Sequence, residues 1–406
     1  MNACFITFFF FFTMTYVPIA TSPLLLPFFS ALKLPFGVTI RIVLYAVCIV
    51  VFMLSRDKKE VLKKIAKLGM LWLPWLAYLL FRCTYSDVYS FNKLIYIYMH
   101  FLTLPVICVM FTVNPERFNK YLFIFTLGMS MALLIVFVLN PTIIIVSGNI
   151  ERLGTENVGP IWIARNFSLT VLFIILFSRF PIWIKSSLVL IFFVSIIPTG
   201  TRGPLLSLII ILGLLFLLEQ RKKRAFFAKA ISCICFAIAL FWISFPFFEA
   251  SVNKYFHRGS SKTMFQQSGR ADLYKLGIKE FATSPIFGVG LGRYGKENKT
   301  GRSVINKNIE DRVYPHNIII EVLAELGIVG LFLFFLILYP GKWMFDFSNK
   351  YLFIFLLTFL FVCTSGDLKE NGIVFIFNYI AIMNYHKNIK DKQQAQKPLQ
   401  SLISTK

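Results

Sequence analysis

Residues 267–295, QSGRADLYKLGIKEFATSPIFGVGLGRYG, and residues 313–330, VYPHNIIIEVLAELGIVG, frame a long polar stretch in an otherwise apolar chain. The stretch is basic and punctuated by glycine. It carries His316 at the mouth of a new apolar segment. Hydrophobic residues make up 57% of the 406 and charged residues only 15%, with 47 phenylalanines. A soluble domain sits near ~45–50% apolar and about 25% charged. Apolar runs of roughly 18–25 residues separated by short charged loops define an all-α polytopic membrane protein. A transmembrane β-barrel is excluded, because it needs alternating strands of about 10 residues and these runs are continuous.

About twelve spans are expected, near 4–24, 36–54, 68–82, 93–111, 121–140, 160–177, 185–198, 203–219, 226–248, 317–340, 350–364 and 371–386. Nine therefore precede residue 249 (1–248). A long loop follows at 249–316, carrying short amphipathic helices. The last three spans occupy 317–386, and a basic tail fills 387–406. Lys and Arg in short loops face the cytoplasm. Lys58, Lys63, Arg117, Arg179, Lys185, Arg221–Arg224, Lys342, Lys350 and Lys387 all fall on one side if there are twelve spans. Both termini are then cytoplasmic, and the loop at 249–316 faces the other way. Long loops are exempt from the charge rule, so its basic character needs another cause.

The net charge of +23 invites a nucleic-acid reading. The basic residues lie between apolar spans and form no separate domain, so no nucleic-acid partner is expected and the bilayer is. The seven cysteines show no C-x-x-C pair and mostly sit inside spans, where they read as small apolar residues. The N-terminus lacks a basic leader and a clear cleavage site, and reads as a retained first helix.

Four features gather on the face opposite the basic loops. Arg152 lies in the loop near 146–160, and Arg165 lies about one turn inside the sixth span. A charge there is costly unless it snorkels to the interface, lines a wet cavity or meets a partner. Pro198-Thr199-Gly200-Thr201-Arg202-Gly203-Pro204 is a tight turn that places Arg202 at a helix start, where its guanidinium and the free amides suit an anion; an ordinary interfacial turn is the alternative. Ser268-Gly269-Arg270-Ala271-Asp272 opens a short helix. Its Tyr274, Ile278 and Phe281 predict an amphipathic face packed on the membrane domain. Gly288, Gly290 and Gly292 follow a helix rather than a strand, which argues against a nucleotide loop. Finally, Asn317 is a natural N-cap and sets His316 at the helix mouth. Glu321 and Glu325 on the next turns either orient the histidine or pair with an arginine.

T-R-G-P at 201–204, G-R-x-D with S-P-I-F-G-V-G-L-G through 292, and P-H-N-x-x-x-E-x-x-x-E-x-G-I-x-G at 315–330 together resemble the O-antigen ligase and polymerase superfamily. The resemblance covers roughly residues 150–340. It implies a GT-C-like fold in the bacterial inner membrane, and metal-independent, inverting transfer of a glycan at the periplasmic face. The donor would be a glycan on undecaprenyl pyrophosphate, with a chain-length regulator as a further candidate partner. Arg202, Arg270 and His316 match the family's functional positions; Arg152 and Arg165 match a looser pattern.

The chemistry of these residue types fits. A polyprenyl pyrophosphate is already a good leaving group and needs cations, which arginine supplies as bidentate, permanently charged contacts. The acceptor hydroxyl needs a base, and an unperturbed imidazole is mostly neutral at pH 7. The outer face has no Asp-x-Asp and no cluster of histidine and carboxylate suited to a divalent ion, so neither metal nor other cofactor is expected. A flippase for lipid-linked oligosaccharide would share the span number. It would be expected to show internal repeats and charged or broken helices at mid-membrane, whereas here polar residues gather at one face. The forms of T-R-G-P and G-V-G-L-G lean toward a polymerase over a ligase.

Overall fold

The computed structural model describes residues 58–84, 87–113, 115–146, 150–155, 158–219, 270–295, 314–338, 341–366, 368 and 371–403, with positions 50, 52 and 53. Ten helices run through this part in chain order: α1 Lys58–Arg82, α2 Val88–Val113, α3 Pro115–Leu139, α4 Pro160–Phe177, α5 Ile182–Ile196, α6 Arg202–Glu219, α7 Arg270–Thr283, α8 Ile318–Ile337, α9 Lys350–Ser365 and α10 Ile373–Ile403. Among the described residues, five helical segments are long and apolar enough to cross a membrane: α1, α3, α4, α5 with its following turn, and α8. α6 and α9 are shorter apolar helices. The expected spans at 4–24 and 226–248, and all but three residues of 36–54, lie outside the described residues.

The helices begin where local chemistry satisfies their free amides. Pro160 opens α4 at a position whose N–H has no helical partner anyway. Asn317 and Asn349 cap α8 and α9 with their side-chain oxygens. Two elements differ from the sequence expectation in length. α1 starts at Lys58, so Lys63, Lys64 and Lys67, read as loop residues, lie on helical turns. α10 runs to Ile403, so most of the basic tail extends the last helix. A hairpin of β1 Thr142–Val146 and β2 Ile150–Gly154, in register from Thr142↔Gly154 to Val146↔Ile150, also departs from an all-helical chain. Two strands alone are marginal; this pair packs on α4 and on the 3-10 turn Ile197–Thr199.

α4 lies at the centre of one group, packed against α3, α5, α6 and α9. α1 packs on α2 and α8, α7 on α8, and α2 on α10. The α9–α10 pair joins the two groups. Phe167, Phe173, Trp72 and Trp75 are fully buried, while Phe81, Val138, Trp183 and Phe332 are exposed. In water such an apolar outer surface marks an interaction site; around long apolar helices it is the surface that lipid covers.

Contacts sort the helix ends into two sets. At one end Lys390 Nζ reaches Glu60 (2.7 Å), Lys350 Nζ donates to the Leu176 carbonyl (2.6 Å) and the Tyr351 hydroxyl bonds Asn119 (2.6 Å). These are residues of the basic loops or their neighbours. At the other end Arg82 meets residues 288–291, and the start of α6 meets the end of α9.

That second end contains a break in a helix. At Gly327 the backbone of α8 leaves helical geometry (φ 67°, ψ −164°). The segment after α7 fills the break. Val289 N donates to Ala324 O (2.9 Å) and Gly290 N to Glu325 O (2.8 Å), while Ile328 N and Val329 N donate to Pro285 O (2.9 Å) and Ile286 O (3.2 Å). Backbone groups released by the break are thus paired, as the interior of a membrane protein requires. Backbone meets backbone with no room between: a Cβ on Gly288 would overlap the peptide between Glu325 and Leu326, and one on Gly327 would overlap Ile286.

Gly288→Ala and Gly327→Ala should therefore each destabilise the protein by about 2–5 kcal/mol, from ~1–2 kcal/mol for a positive-φ backbone and ~1–3 kcal/mol for overpacking. Gly128 in α3 has open space where a Cβ would stand. Gly128→Ala should stabilise by about 0.5–1 kcal/mol. Thermal melting of the detergent-solubilised protein reads both signs.

Candidate active site

The site is built on the two outer turns of α8 and on what they hold. His316 directly precedes the N-cap. It is the single non-glycine residue with a left-handed backbone among the described residues (φ 55°). Such a conformation is uncommon outside glycine, and asparagine, aspartate and histidine are the other residues that adopt it most readily. It turns the chain from the loop into α8, and the imidazole lies against Tyr314 with ring centroids 4.2 Å apart. Asn317 Oδ1 accepts from Ile319 N (2.9 Å) and Ile320 N (3.2 Å), fixing the turn that carries the histidine.

One turn further in, Glu321 and Glu325 point the same way at i and i+4. A lysine binds both. Lys93, on α2, donates to Glu321 Oε1 and to Glu325 Oε2 (2.8 Å). All three side chains are essentially sealed from solvent, with Lys93 1% exposed. Each carboxylate also takes a backbone amide from a different segment. Glu325 Oε2 accepts from Gly292 N (2.8 Å), and Glu321 Oε2 accepts from Leu368 N (3.0 Å). A buried charge is tolerable only when paired and hydrogen-bonded, and this cluster meets that condition through four chain segments.

The glycine segment thereby has a structural role. Tyr78 Oη donates to the carbonyls of Phe287 (3.0 Å) and Leu326 (2.7 Å), and Arg82 Nη2 donates to Gly288 O (2.5 Å). Leu291 N donates to Arg82 O (3.0 Å), and Ser90 Oγ to Leu291 O (2.6 Å). A Cβ on Gly292 would stand 2.9 Å from Ser90 Cα. Helix α7, which precedes this segment, packs on α8 by a different face from the one its sequence suggests. Gly277 faces Ile320, where a Cβ would come within 2.5 Å, and Glu280 is buried, whereas Ile278 is 62% exposed. Close helix approach selects the small residue and turns Ile278 outward. Glu280 Oε1 accepts from Gly295 N (2.8 Å), and Tyr294 Oη donates to Leu273 O, tying the loop back to α7. Burial, reinforced by the negative charge of Glu280, holds the Tyr294 phenol well above its usual range, so it stays a donor.

The arginines fall into three situations. Arg165 is 6% exposed and engaged with the end of α9 and the start of α10: Nη1 donates to Asn371 Oδ1 (2.8 Å), and Nη2 donates to Ser365 Oγ (3.0 Å) and Phe361 O (3.2 Å). Its guanidinium also lies over the Trp162 ring, 5.0 Å from the centroid. Of the three options for an arginine at this depth, it takes a protein partner. Arg202 is the first residue of α6, half-buried, beside Gly203, whose close approach to Thr364 (2.9 Å to Oγ1 from a Cβ) brings α6 onto α9. Arg152 stands in β2 opposite Ile144, and Arg270 is the first residue of α7. The side chains of both lie outside what the structure describes.

Thr364, Ser365, Leu368 and Asn371 are thus a meeting point. They touch the start of α6, Arg165 of α4 and Glu321 of α8. The segment bearing Arg202, the Arg165 side chain and the turn bearing His316 all connect through this short stretch. Among the described residues no group of three or more His, Cys, Asp or Glu is placed to hold a metal ion. Lys93, Tyr78 and Arg82 were not singled out from the sequence. For Lys93 a signal existed, namely a lysine where an apolar span begins.

Residues 187–335 match a family model described as O-antigen ligase, which supports membership of the O-antigen ligase and polymerase superfamily. No curated protein matches the chain. The matched segment contains Arg202, Arg270, the glycine segment, His316 and the Glu321–Glu325 pair. The match supports an O-antigen ligase or polymerase type of protein over this segment, and the long apolar helices are those of a multi-pass membrane protein.

Replacing Arg165 by lysine should cost stability, because one ammonium cannot serve Asn371, Ser365 and the Phe361 carbonyl in the planar geometry of a guanidinium. A loss of roughly 1–3 kcal/mol is expected for the acceptors left unpaired, read as a lower melting temperature with membrane insertion retained.

Proposed function

We propose that the protein is a bacterial inner-membrane glycosyltransferase that moves a glycan from undecaprenyl pyrophosphate to a sugar hydroxyl at the periplasmic face. The observation that carries this reading is the O-antigen ligase match over residues 187–335, because that segment holds His316, Arg202 and Arg270 on the end of the bundle away from the lysine-rich loops. With the positive-inside rule, that end is periplasmic and both termini are cytoplasmic.

In this reading the His316 imidazole takes the proton of the acceptor hydroxyl as its oxygen attacks the anomeric carbon. The bond from that carbon to the pyrophosphate oxygen breaks on the opposite face, which inverts the centre. The electron pair leaves with undecaprenyl pyrophosphate. Arg202 and Arg270, with Arg152 from the hairpin, hold the leaving group and neutralise the charge that grows on it. Arg165 contributes by holding Ser365 and Asn371, the stretch against which the other parts are set. No step calls for a metal ion. For the acceptor, the forms of T-R-G-P and G-V-G-L-G favour a second lipid-linked repeat unit, which makes the reaction polymerisation, with a chain-length regulator as a partner. The second reading within the same family match is the ligase, which transfers the finished chain to the lipid A core.

A deletion strain separates these outcomes. Lipopolysaccharide carrying one repeat identifies a polymerase, and bare core with polymer retained on the carrier lipid identifies a ligase. Unchanged lipopolysaccharide contradicts both. Complementation with His316→Ala should fail although the protein inserts normally, a loss of at least ~100-fold for a missing base. Arg270→Lys should also complement poorly, since lysine lacks the bidentate fork.

A further inference from the structure

We propose that Glu321 and Glu325 are positioning residues for this reaction, their side-chain oxygens setting the two loops of the site against the turn that carries His316, with Lys93 as the counter-charge that lets both carboxylates lie buried. The inference rests on the glycosyltransferase reading for its consequence and on geometry for its origin. Lys93 lies on α2, a different element from those that bear His316 and the arginines of the site, and is sealed from solvent. Its ammonium joins both carboxylates, and each carboxylate holds one loop amide: Gly292 N after α7, and Leu368 N between α9 and α10. The first loop is continuous with α7, which Arg270 opens; the second is flanked by Ser365 and Asn371, the partners of Arg165. One cation on α2 therefore fixes two carboxylates, and they fix both loops relative to the N-terminus of α8.

A plain structural ion pair would need no such arrangement. Glu321 meets Lys93 with Oε1 and the Leu368 amide with Oε2, while Glu325 Oε2 takes both Lys93 and the Gly292 amide, so the two side-chain acceptors hold the two loops in one register. A displacement of about 1 Å between base and leaving-group cations is enough to cost on the order of 100-fold in rate.

The test must separate positioning from stability. Lys93→Met alone leaves two carboxylates without their counter-charge, which is strongly destabilising and confounds the answer. Two neutral triple variants avoid this. K93M/E321Q/E325Q keeps side-chain carbonyls that accept from Gly292 N and Leu368 N. K93M/E321L/E325L fills the space with apolar groups, which commonly preserves or raises stability, but removes both acceptors. Full-length protein in nanodiscs is followed by thermal melting, by amide exchange at Gly292 and Leu368, and by turnover and KM for lipid-linked glycan. The glutamine variant should keep both amides protected and stay within about tenfold of wild-type turnover. The leucine variant should melt no lower than the glutamine variant, exchange both amides rapidly, and lose turnover by about 100-fold. A stable leucine variant with wild-type turnover overturns the proposal, as does one that keeps both amides protected. Wild-type protein that transfers nothing, while the amides divide as expected, overturns the glycosyltransferase reading and with it the role of the two glutamates in transfer, but leaves Glu321 and Glu325 as the anchors of the two loops.

Discussion

One lysine ammonium, enclosed between two glutamates in the protein interior, is the interaction on which the outer end of this structure depends. Charges removed from water are costly, and the cost is offset only when each is paired and its remaining hydrogen-bonding capacity is used. Lys93, Glu321 and Glu325 meet that demand by drawing in the amides of Gly292 and Leu368. The electrostatic requirement thus becomes a geometric one. Four segments distant in sequence are brought to one place, and three of them border the candidate site.

The broken helix α8 follows the same logic with backbone groups instead of charges. An apolar environment cannot satisfy the amides and carbonyls that a break at Gly327 releases. The segment Pro285–Gly290 supplies the missing partners, and Tyr78 and Arg82 of α1 hold it there. The consequence is functional. Residues 285–290 of the long loop, after α7, are seated on a helix by main-chain hydrogen bonds. Arg270 at one end of this region and His316 at the start of α8 are thereby carried on related parts of one framework.

Much of this was legible in the sequence, and the remainder was hidden for physical reasons. The spans at 160–177, 203–219 and 350–364 agree closely with α4, α6 and α9, because continuous apolar runs bounded by Pro160, the Gly200–Pro204 turn and Asn349 leave little freedom. The start of α8 was legible because Asn317 is a strong N-cap. The basic residues before α2 concealed the start of α1, since lysines at one end of a long helix look like a loop in composition. Lys93 was passed over because its pairing with Glu321 and Glu325 spans more than 200 positions, and local pattern carries no trace of it. The same separation left the partner of the two glutamates unresolved between histidine and arginine. The glycines at 288, 290 and 292 follow a helix, which speaks against a nucleotide loop. Their actual role, close backbone approach to a break in α8 and to α2, depends on Gly327, which the sequence places in an otherwise regular helix.

The central claim is that the end of the bundle organised by Lys93 performs glycan transfer from a polyprenyl pyrophosphate. The most direct measurement uses the purified full-length protein in lipid, supplied with undecaprenyl-pyrophosphate-linked repeat units and no other enzyme, and follows free undecaprenyl pyrophosphate together with elongated glycan. Release of the pyrophosphate in step with new glycosidic bonds is the predicted result. Intact donor recovered after prolonged incubation with both donor and acceptor, or donor moved across the bilayer without cleavage, would contradict the account.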